Sequence, residues 1–244
     1  MSGVASVSFS IVSHRQGHLI ENLLTDLHRL WPTLGACEII LTLNLPEDES
    51  FIHRFCDLPL QIIRNPIAKG FGENHNSAFD RSTGDIFAVL NPDLRFSTLD
   101  LGPMREVLSA PEVGLWAPLV VASNGKIEDS ARRFPTVARL ARRTLLRKRT
   151  ADYAPGAWPI RVDWVAGMFV ALPRRAYAQV HGFDRRYFMY MEDADICRRL
   201  QEQGLDVMYD ARVRVVHDAR RASRRSLRHM SWHLVSALRF LFRS

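Results

Sequence analysis

Three acids, Glu192, Asp193 and Asp195, directly follow the run Tyr187-Phe188-Met189-Tyr190-Met191 and open a segment of helical periodicity. Carboxylates in the first turn of a helix accept hydrogen bonds from free backbone N–H groups and suit the helix dipole. They cannot all cap. Adjacent side chains in one turn point in different directions, so one can cap while its neighbour faces a crevice. A carboxylate in a crevice can take a proton from a substrate.

Two more positions carry the same kind of ambiguity. Asn91-Pro92-Asp93 follows the apolar run Ile86 to Leu90. A carboxylate there can serve Mg²⁺ or Mn²⁺, which take oxygen ligands and bind through one or two carboxylates plus substrate phosphates. The same tripeptide is also strong turn chemistry. His217 ends the run Val213 to Val216, 24 residues beyond Asp193. A lone histidine is more often structural than a ligand, and its place at a strand end is what makes it a candidate. The loop Asn65 to Asn76 holds Gly70 and Gly72 ahead of a helix. Such glycines allow close backbone approach, and a helix N-terminus attracts anions. The loop matches neither the P-loop nor the dinucleotide fingerprint.

The elements that must position these residues are legible as periodicities. Val4 to Val12 alternates like a strand, and Leu19 to Trp31 carries a helical stripe that Pro32 is expected to end. Strands are expected over Cys37–Leu43, Gln61–Arg64 and Ile86–Leu90, with a helix over Glu73–Arg81. Alternating strands and helices predict an α/β, Rossmann-like, mostly parallel sheet flanked by helices. Ligands of such sheets bind beyond the carboxyl ends of the strands. The loops there carry Ser13, His14, Arg15, Asn44, Asn65, Lys69, Asn91 and Asp93. Further strands are expected over Val113–Val121, Val162–Leu172, Asp206–Tyr209 and Val213–His217. Helices are expected over Ala194–Gln203, stopped by Gly204, and over Ser226–Arg243. Ala131 to Pro159 predicts long loops and one amphipathic helix.

With 244 residues, 47% hydrophobic and 24% charged, the chain has the make-up of a globular domain. No run approaches the roughly 20 apolar residues of a membrane span. Met1 to Ile11 has no basic residue ahead of an apolar core, so no signal peptide is expected. Cys37, Cys56 and Cys197 lack metal-ligand spacing and predict free thiols in a cytoplasmic protein.

Charge is divided unevenly. Residues 1–131 hold nine basic and 16 acidic side chains, and residues 132–244 hold 24 and 10. Eight basic residues and no acid lie between Arg132 and Arg149. Such blocks suit an anionic partner or a solvated basic face. In the tail, Leu227, Met230, Leu234, Leu238 and Leu241 recur at spacings of three and four, with Arg224, Arg225, Arg228, Arg239 and Arg243 interleaved. That pattern predicts an amphipathic helix that either lies on an anionic membrane face or packs its stripe on the domain.

Taken in order, six segments resemble the family 2 glycosyltransferases of GT-A fold, and among them the bacterial rhamnosyltransferase-like members. They are Val7–Arg15, Asn65–Asn76, Leu90–Asp93, Trp164–Phe169, Gly182–Asp195 and Val216-His217 with its basic tail. The resemblance implies a GT-A domain over 1–221, with a nucleotide-sugar half at 1–110 and an acceptor half at 111–221, followed by a basic helix at 222–244. It implies that Asp193 deprotonates the acceptor, with Glu192 the second choice, and that Asp93 and His217 hold a divalent cation, Mg²⁺ or Mn²⁺. Asn91 stands where the family's metal motif has its first acid, so metal dependence is less firmly implied. Ser13, His14 and Arg15 match the nucleotide-binding segment, and Asn44 takes a position often held by Asp. Asn65, Lys69 and Asn91 match the donor side. The implied reaction is inverting transfer, with dTDP-L-rhamnose favoured as donor and a cell-surface polysaccharide, such as an O-antigen, or a lipid-linked glycan as acceptor. Peripheral contact with an anionic membrane would follow.

A non-catalytic nucleotide-sugar or nucleic-acid binder on the same scaffold is the alternative. The chain has no helix-turn-helix, zinc or aromatic RNA-binding motif, so no nucleic acid is expected. An oxidoreductase is disfavoured by the missing glycine fingerprint.

Overall fold

Strand β1 (Val7–Ser13) sends Val7, Phe9 and Ile11 to one face and the small polar Ser8 and Ser10 to the other, all buried. A strand covered on both faces belongs inside a layered α/β sheet. The computed structural model describes residues 4–136, 139, 151–218 and 227–242. After β1 come α1 (Gly17–Leu34), β2 (Cys37–Leu43), a 3₁₀ turn (Ser50–Phe55), β3 (Leu60–Arg64), α2 (Phe71–Phe79), β4 (Ile86–Leu90), β5 (Leu94–Arg95) and α3 (Gly102–Leu108). Then follow β6 (Val113–Ala122), β7 (Ala131–Arg132), β8 (Ile160–Arg161), β9 (Trp164–Val165), β10 (Phe169–Pro173), α4 (Arg174–Gln179), α5 (Glu192–Glu202), β11 (Asp206–His217) and α6 (Leu227–Leu241).

Nine strands form one sheet in the order β3-β2-β1-β4-β10-β6-β11-β5, with β8 added beside β11. β1 to β4 run parallel, β10 is antiparallel to both β4 and β6, and β11 runs parallel to β6. β7 and β9 make a separate two-stranded sheet. The architecture is the expected mostly parallel α/β sheet flanked by helices. One face packs Phe9, Ile11, Leu41 and Trp116 against α1 and α3. The other packs Phe87, Val89, Val170 and Leu172 with Tyr177, Phe183 and Ile196.

Four expectations about elements change. α1 continues through Pro32 to Leu34. The proline costs the last turn one backbone bond, while Leu34 is fully buried beyond it and Gly35, at φ 76°, ends the helix. The stretch Val162–Leu172 is not one strand. β9 and β10 are separated by Ala166-Gly167-Met168, where the chain leaves the small sheet for the large one. Conversely, Asp206–Tyr209 and Val213–His217 belong to a single strand, β11, whose register against β6 shifts between Asp210 and Arg214. Buried Asp210 holds that bulge, accepting from Trp116 Nε1 (3.1 Å) and from Arg212 Nε (3.0 Å). The first strand begins at Val7 rather than Val4, which is exposed.

The amphipathic helix expected within 131–159 and most of the Arg132–Arg149 cluster lie outside the described residues, as do Arg224, Arg225 and Arg243. Among the described residues no helix is long and apolar enough to cross a membrane. Cys37, Cys56 and Cys197 are free thiols.

Candidate active site

The carboxyl ends of β1, β2, β3 and β4 point to one edge of the sheet, as parallel pairing requires. β5 turns back straight after Asp93 and pairs antiparallel with the end of β11, setting Leu94 opposite His217. This register explains why two residues 124 positions apart in the sequence meet. His217 Nε2 lies 3.2 Å from Asp93 Oδ2, and His217 Nδ1 lies 3.0 Å from Glu128 Oε2. Burial works against a charge on His217. The hydrogen bonds and charges of Asp93 and Glu128 outweigh it and raise its pKa. The second oxygen of Asp93, Oδ1, is buried without a hydrogen-bond partner.

These residues fit a divalent cation in chemistry. Asp93 offers an orphaned oxygen, His217 offers Nε2, and Glu128 on Nδ1 is the outer carboxylate that orients a ligating imidazole. They do not enclose an ion by themselves: among the described residues no group of three or more His, Cys, Asp or Glu could hold one. The remaining ligands would have to come from substrate phosphates and water.

At the carboxyl ends of β2 and β3 the loop after β3 is fastened by asparagines. Asn65 Nδ2 donates to Asn44 Oδ1 (3.0 Å) and Asn74 Oδ1 (2.6 Å). Asn44 Oδ1 also accepts from Lys69 N (2.8 Å), and its Nδ2 donates to Lys69 O (2.9 Å). Asn74 Nδ2 donates to Gly70 O (2.9 Å). All three asparagines are buried. Asn44 and Asn65 are thus engaged mainly with the loop, presenting the Lys69-Gly70 backbone, and Asn44 Nδ2 also lies 3.3 Å from His14 Nδ1. Ser13 is also buried, its Oγ accepting from Gln16 N (3.1 Å) at the start of α1. His14 and Arg15 are exposed. Arg15, at φ 58°, lines a cavity of about 540 Å³ with His18, Glu47, Asp48 and Phe51. Replacing Asn65 with Ala strands the buried acceptor on Asn74 and removes one of the two donors to Asn44 Oδ1. A loss of about 2 kcal/mol is expected, read as a fall in Tm of about 4 to 8 °C.

The three acids of α5 have three different environments. The N-cap is Met191, in the left-handed region, and no side chain caps the helix. Asp195 is fully buried and pairs with Arg199 one turn on, at 2.7 Å. Asp193 Oδ1 accepts from Ala194 N (2.8 Å), and its Oδ2 accepts from Gly167 N (3.2 Å). Gly167 belongs to the turn between β9 and β10, so the break in the expected long strand is what delivers that N–H. Burial raises the pKa of Asp193, while the two N–H groups and the Arg132 guanidinium pull it back. Glu192 is buried, with Oε2 lacking any partner. Burial, then the neighbouring charge of Asp193, pushes it well above the carboxylate range. Of the pair, Asp193 has the Gly167 and Ala194 N–H donors that favour the ionised form, while burial drives Glu192 toward its neutral form.

Glu128, Asn74, Arg132 and the Gly167 amide were not anticipated as parts of the site. Glu128 sits in the short segment between β6 and β7, with no periodicity or motif to mark it. Arg132, on β7 beside Trp164 of β9, lies 5.1 Å from that indole ring and donates to Asp129 O at 2.7 Å. In sequence it was only the first member of a basic run. Asn74 stood within a noted loop, but its neighbours are known only once β2 and β3 pair.

The model of Glycosyl transferase family 2 matches residues 8–169, and that of the N-terminal domain of galactosyltransferase matches 149–223. The N-acetylglucosaminyl-diphospho-decaprenol L-rhamnosyltransferase of Mycobacterium tuberculosis is 30% identical over 183 residues, 70% of this chain and 59% of that protein. Rhamnosyltransferase WbbL of Escherichia coli K12 is 28% identical, covering 71% of this chain and 70% of that protein. The chain thus spans 59% of the length of the mycobacterial relative. In fold it is similar to the mannosyltransferase PcManGT from Pyrobaculum calidifontis, solved with GDP-Man and Mn²⁺, at TM-score 0.70 and 17% identity over 100% of this chain and 66% of that one. GalNAc-T7, solved with UDP, GalNAc and Mn²⁺, gives TM-score 0.73 and 15% identity over 98% of this chain and 48% of that one. The family model covers the chain from β1 to the first residue of β10, including the Asp93 turn and the Gly167 amide that meets Asp193, and the chain belongs to glycosyl transferase family 2.

Proposed function

We propose that the protein is an inverting glycosyltransferase that moves a sugar, favoured as L-rhamnose from dTDP-L-rhamnose, to a hydroxyl of a cell-surface polysaccharide or lipid-linked glycan. The observation that carries this reading is the Asp193 carboxylate, fixed by the amides of Gly167 and Ala194 at the start of α5. The names of the rhamnosyltransferase relatives support the sugar.

Asp193, ionised, takes the proton of the acceptor hydroxyl as that oxygen bonds to the anomeric carbon. The bond from that carbon to the diphosphate oxygen breaks on the opposite face, and its electron pair leaves with the nucleoside diphosphate. Glu192 stays protonated beside Asp193 and so adds no second charge to the base. His14, Arg15 and Lys69 bind the donor, with Ser13, Asn44 and Asn65 shaping the loops that carry them, and Asn91 and Asp93 close its diphosphate end. Asp93 and His217 would hold Mg²⁺ or Mn²⁺, with Glu128 behind the imidazole. When bound, that cation neutralises charge on the departing diphosphate. The half formed by 1–110 would then carry the donor and 111–221 the acceptor, in a cytoplasmic enzyme that touches the membrane where its acceptor is anchored.

The reading is tested by incubating the purified chain with dTDP-L-rhamnose and lipid-linked glycan extracts, beside a thermal-shift panel of nucleotide sugars. Transfer of rhamnose and a shift greatest with dTDP-rhamnose are expected. Binding of the nucleotide with no transfer to any extract would favour the non-catalytic alternative. For the cation, EDTA is expected to reduce transfer and added Mg²⁺ or Mn²⁺ to restore it. His217→Ala is expected to raise the metal concentration needed by about 10- to 100-fold, the range typical of altered metal shells. Activity indifferent to EDTA would remove Asp93 and His217 from that role.

A further inference from the structure

α6 presents apolar residues on both sides. Its inner side is committed to the protein: Ser236, Ala237 and Phe240 are buried, and Arg198 of α5 donates to Phe240 O at 3.0 Å and stacks on its ring. The same side holds the segment leading into α5. Trp232 meets Phe188 (ring centroids 4.8 Å), His233 meets Tyr190 (5.2 Å), and Ser236 Oγ donates to Met189 O (2.9 Å). Phe188 O in turn accepts from Phe71 N at 2.9 Å. A Cβ on Gly70 would fall 2.7 Å from that oxygen, so only glycine lets the two segments approach. α6 is thus tied both to the segment that ends at Glu192-Asp193 and to the Lys69-Gly70 loop.

The outer side is uncovered. Met230, Leu234, Val235, Leu238 and Phe242 are 62%, 61%, 52%, 47% and 70% exposed. At 100° per residue they span an arc of about 140°. An apolar arc of this kind on a surface helix, interrupted by Ser231, calls for a partner. The composition of the segment says which. From 219 to 244 the sequence has seven arginines and no Asp or Glu. An apolar face within a purely basic segment matches the interface of an anionic bilayer, where acyl chains take the side chains and headgroups take the arginines.

We propose that the outer arc of α6 is a seat for an anionic phospholipid bilayer, and that through Phe188, Met189 and Tyr190 the seated helix sets the orientation of the Asp193 cleft toward the membrane. The second clause rests on the reading above of a lipid-linked acceptor; the seat itself does not.

The test is co-sedimentation of the full chain with vesicles of phosphatidylcholine containing phosphatidylglycerol, beside vesicles of phosphatidylcholine alone. Binding to the first, weakened by added salt and much lower on the second, is expected. A Leu234→Glu/Leu238→Glu double variant changes only exposed side chains, and an unchanged Tm checks its fold. Its partitioning is expected to fall by about 10-fold or more, since two apolar anchors are replaced by charges. It should keep transfer to a detergent-dispersed acceptor and lose transfer to the same acceptor in vesicles. Wild-type protein that transfers sugar but ignores anionic vesicles overturns the seat and leaves the enzyme reading intact. Vesicle binding without any transfer keeps the seat and removes the enzyme reading. A dimer that ignores vesicles and dissociates in the double variant overturns the seat in favour of self-association.

Discussion

Asp193→Asn is expected to lower sugar transfer by about 10³-fold, within the 10² to 10⁴ that a positioned general base supplies, and to leave nucleotide binding unchanged. The substitution keeps the shape of the side chain and removes its ability to accept a proton. One of its two amide contacts, from Gly167 or Ala194, would meet an NH₂ group, a stability cost of about 1 kcal/mol that Tm measures separately from rate. Glu192→Gln is expected to keep most of the activity, because burial and the Asp193 charge already hold Glu192 in its neutral form. The pH profile adds a sign. Burial raises the Asp193 pKa, so transfer should fall as pH drops through a limb above the usual aspartate value, and Asp193→Asn should lack that limb. An undiminished limb in the variant would move the base to another residue. Glu192 also links pH to stability. Its folded pKa lies above the unfolded one, so its contribution is full at low pH and is lost as pH rises through the folded value. Glu192→Gln should flatten that part of the Tm profile.

Gly182→Ala is expected to be the most damaging single change to the fold near the site. Gly182 sits at φ 67°, where a Cβ costs about 1 kcal/mol. That Cβ would lie 2.3 Å from Asn76 Oδ1 and 2.8 Å from Tyr177 Cε1. Asn76 Oδ1 is buried and accepts from Tyr177 Oη (2.7 Å) and Phe183 N (2.9 Å), so displacing it strands two donors. The combined cost is about 3 to 5 kcal/mol, or roughly 10 °C in Tm. Asn76→Ala should give a similar loss and the double variant little more, because both act through one contact. Additive losses in that cycle would show that Asn76 is not the point of strain. The segment at stake runs from Phe183 to Glu192, so transfer should fall along with stability.

Periodicity and turn chemistry determined the α/β class, the run of parallel strands from β1 to β4, and the edge of the sheet where chemistry-bearing loops gather. They did so because burial on both faces of a strand and on one stripe of a helix is written locally in the pattern of apolar residues. The ends of elements were less legible where tertiary contacts outweighed a local signal, as when buried Leu34 carried α1 past Pro32. The bulge at Asp210 likewise merged two expected strands into one. What the candidate site residues touch was decided only by tertiary structure. Ser13, Asn44 and Asn65 could each have faced a nucleotide; pairing of β1, β2 and β3 buries them and satisfies them against neighbouring backbone and one another. Asp93 and His217 were candidates from strand ends alone, and the antiparallel pairing of β5 with β11 brought them within 3.2 Å. Glu192 and Asp193 are adjacent acids that only the family resemblance ranks in sequence; periodicity treats them alike. The Gly167 amide, arriving from another strand, donates to Asp193, while Glu192 Oε2 has no hydrogen-bond partner; N–H donors favour the ionised form of a buried carboxyl.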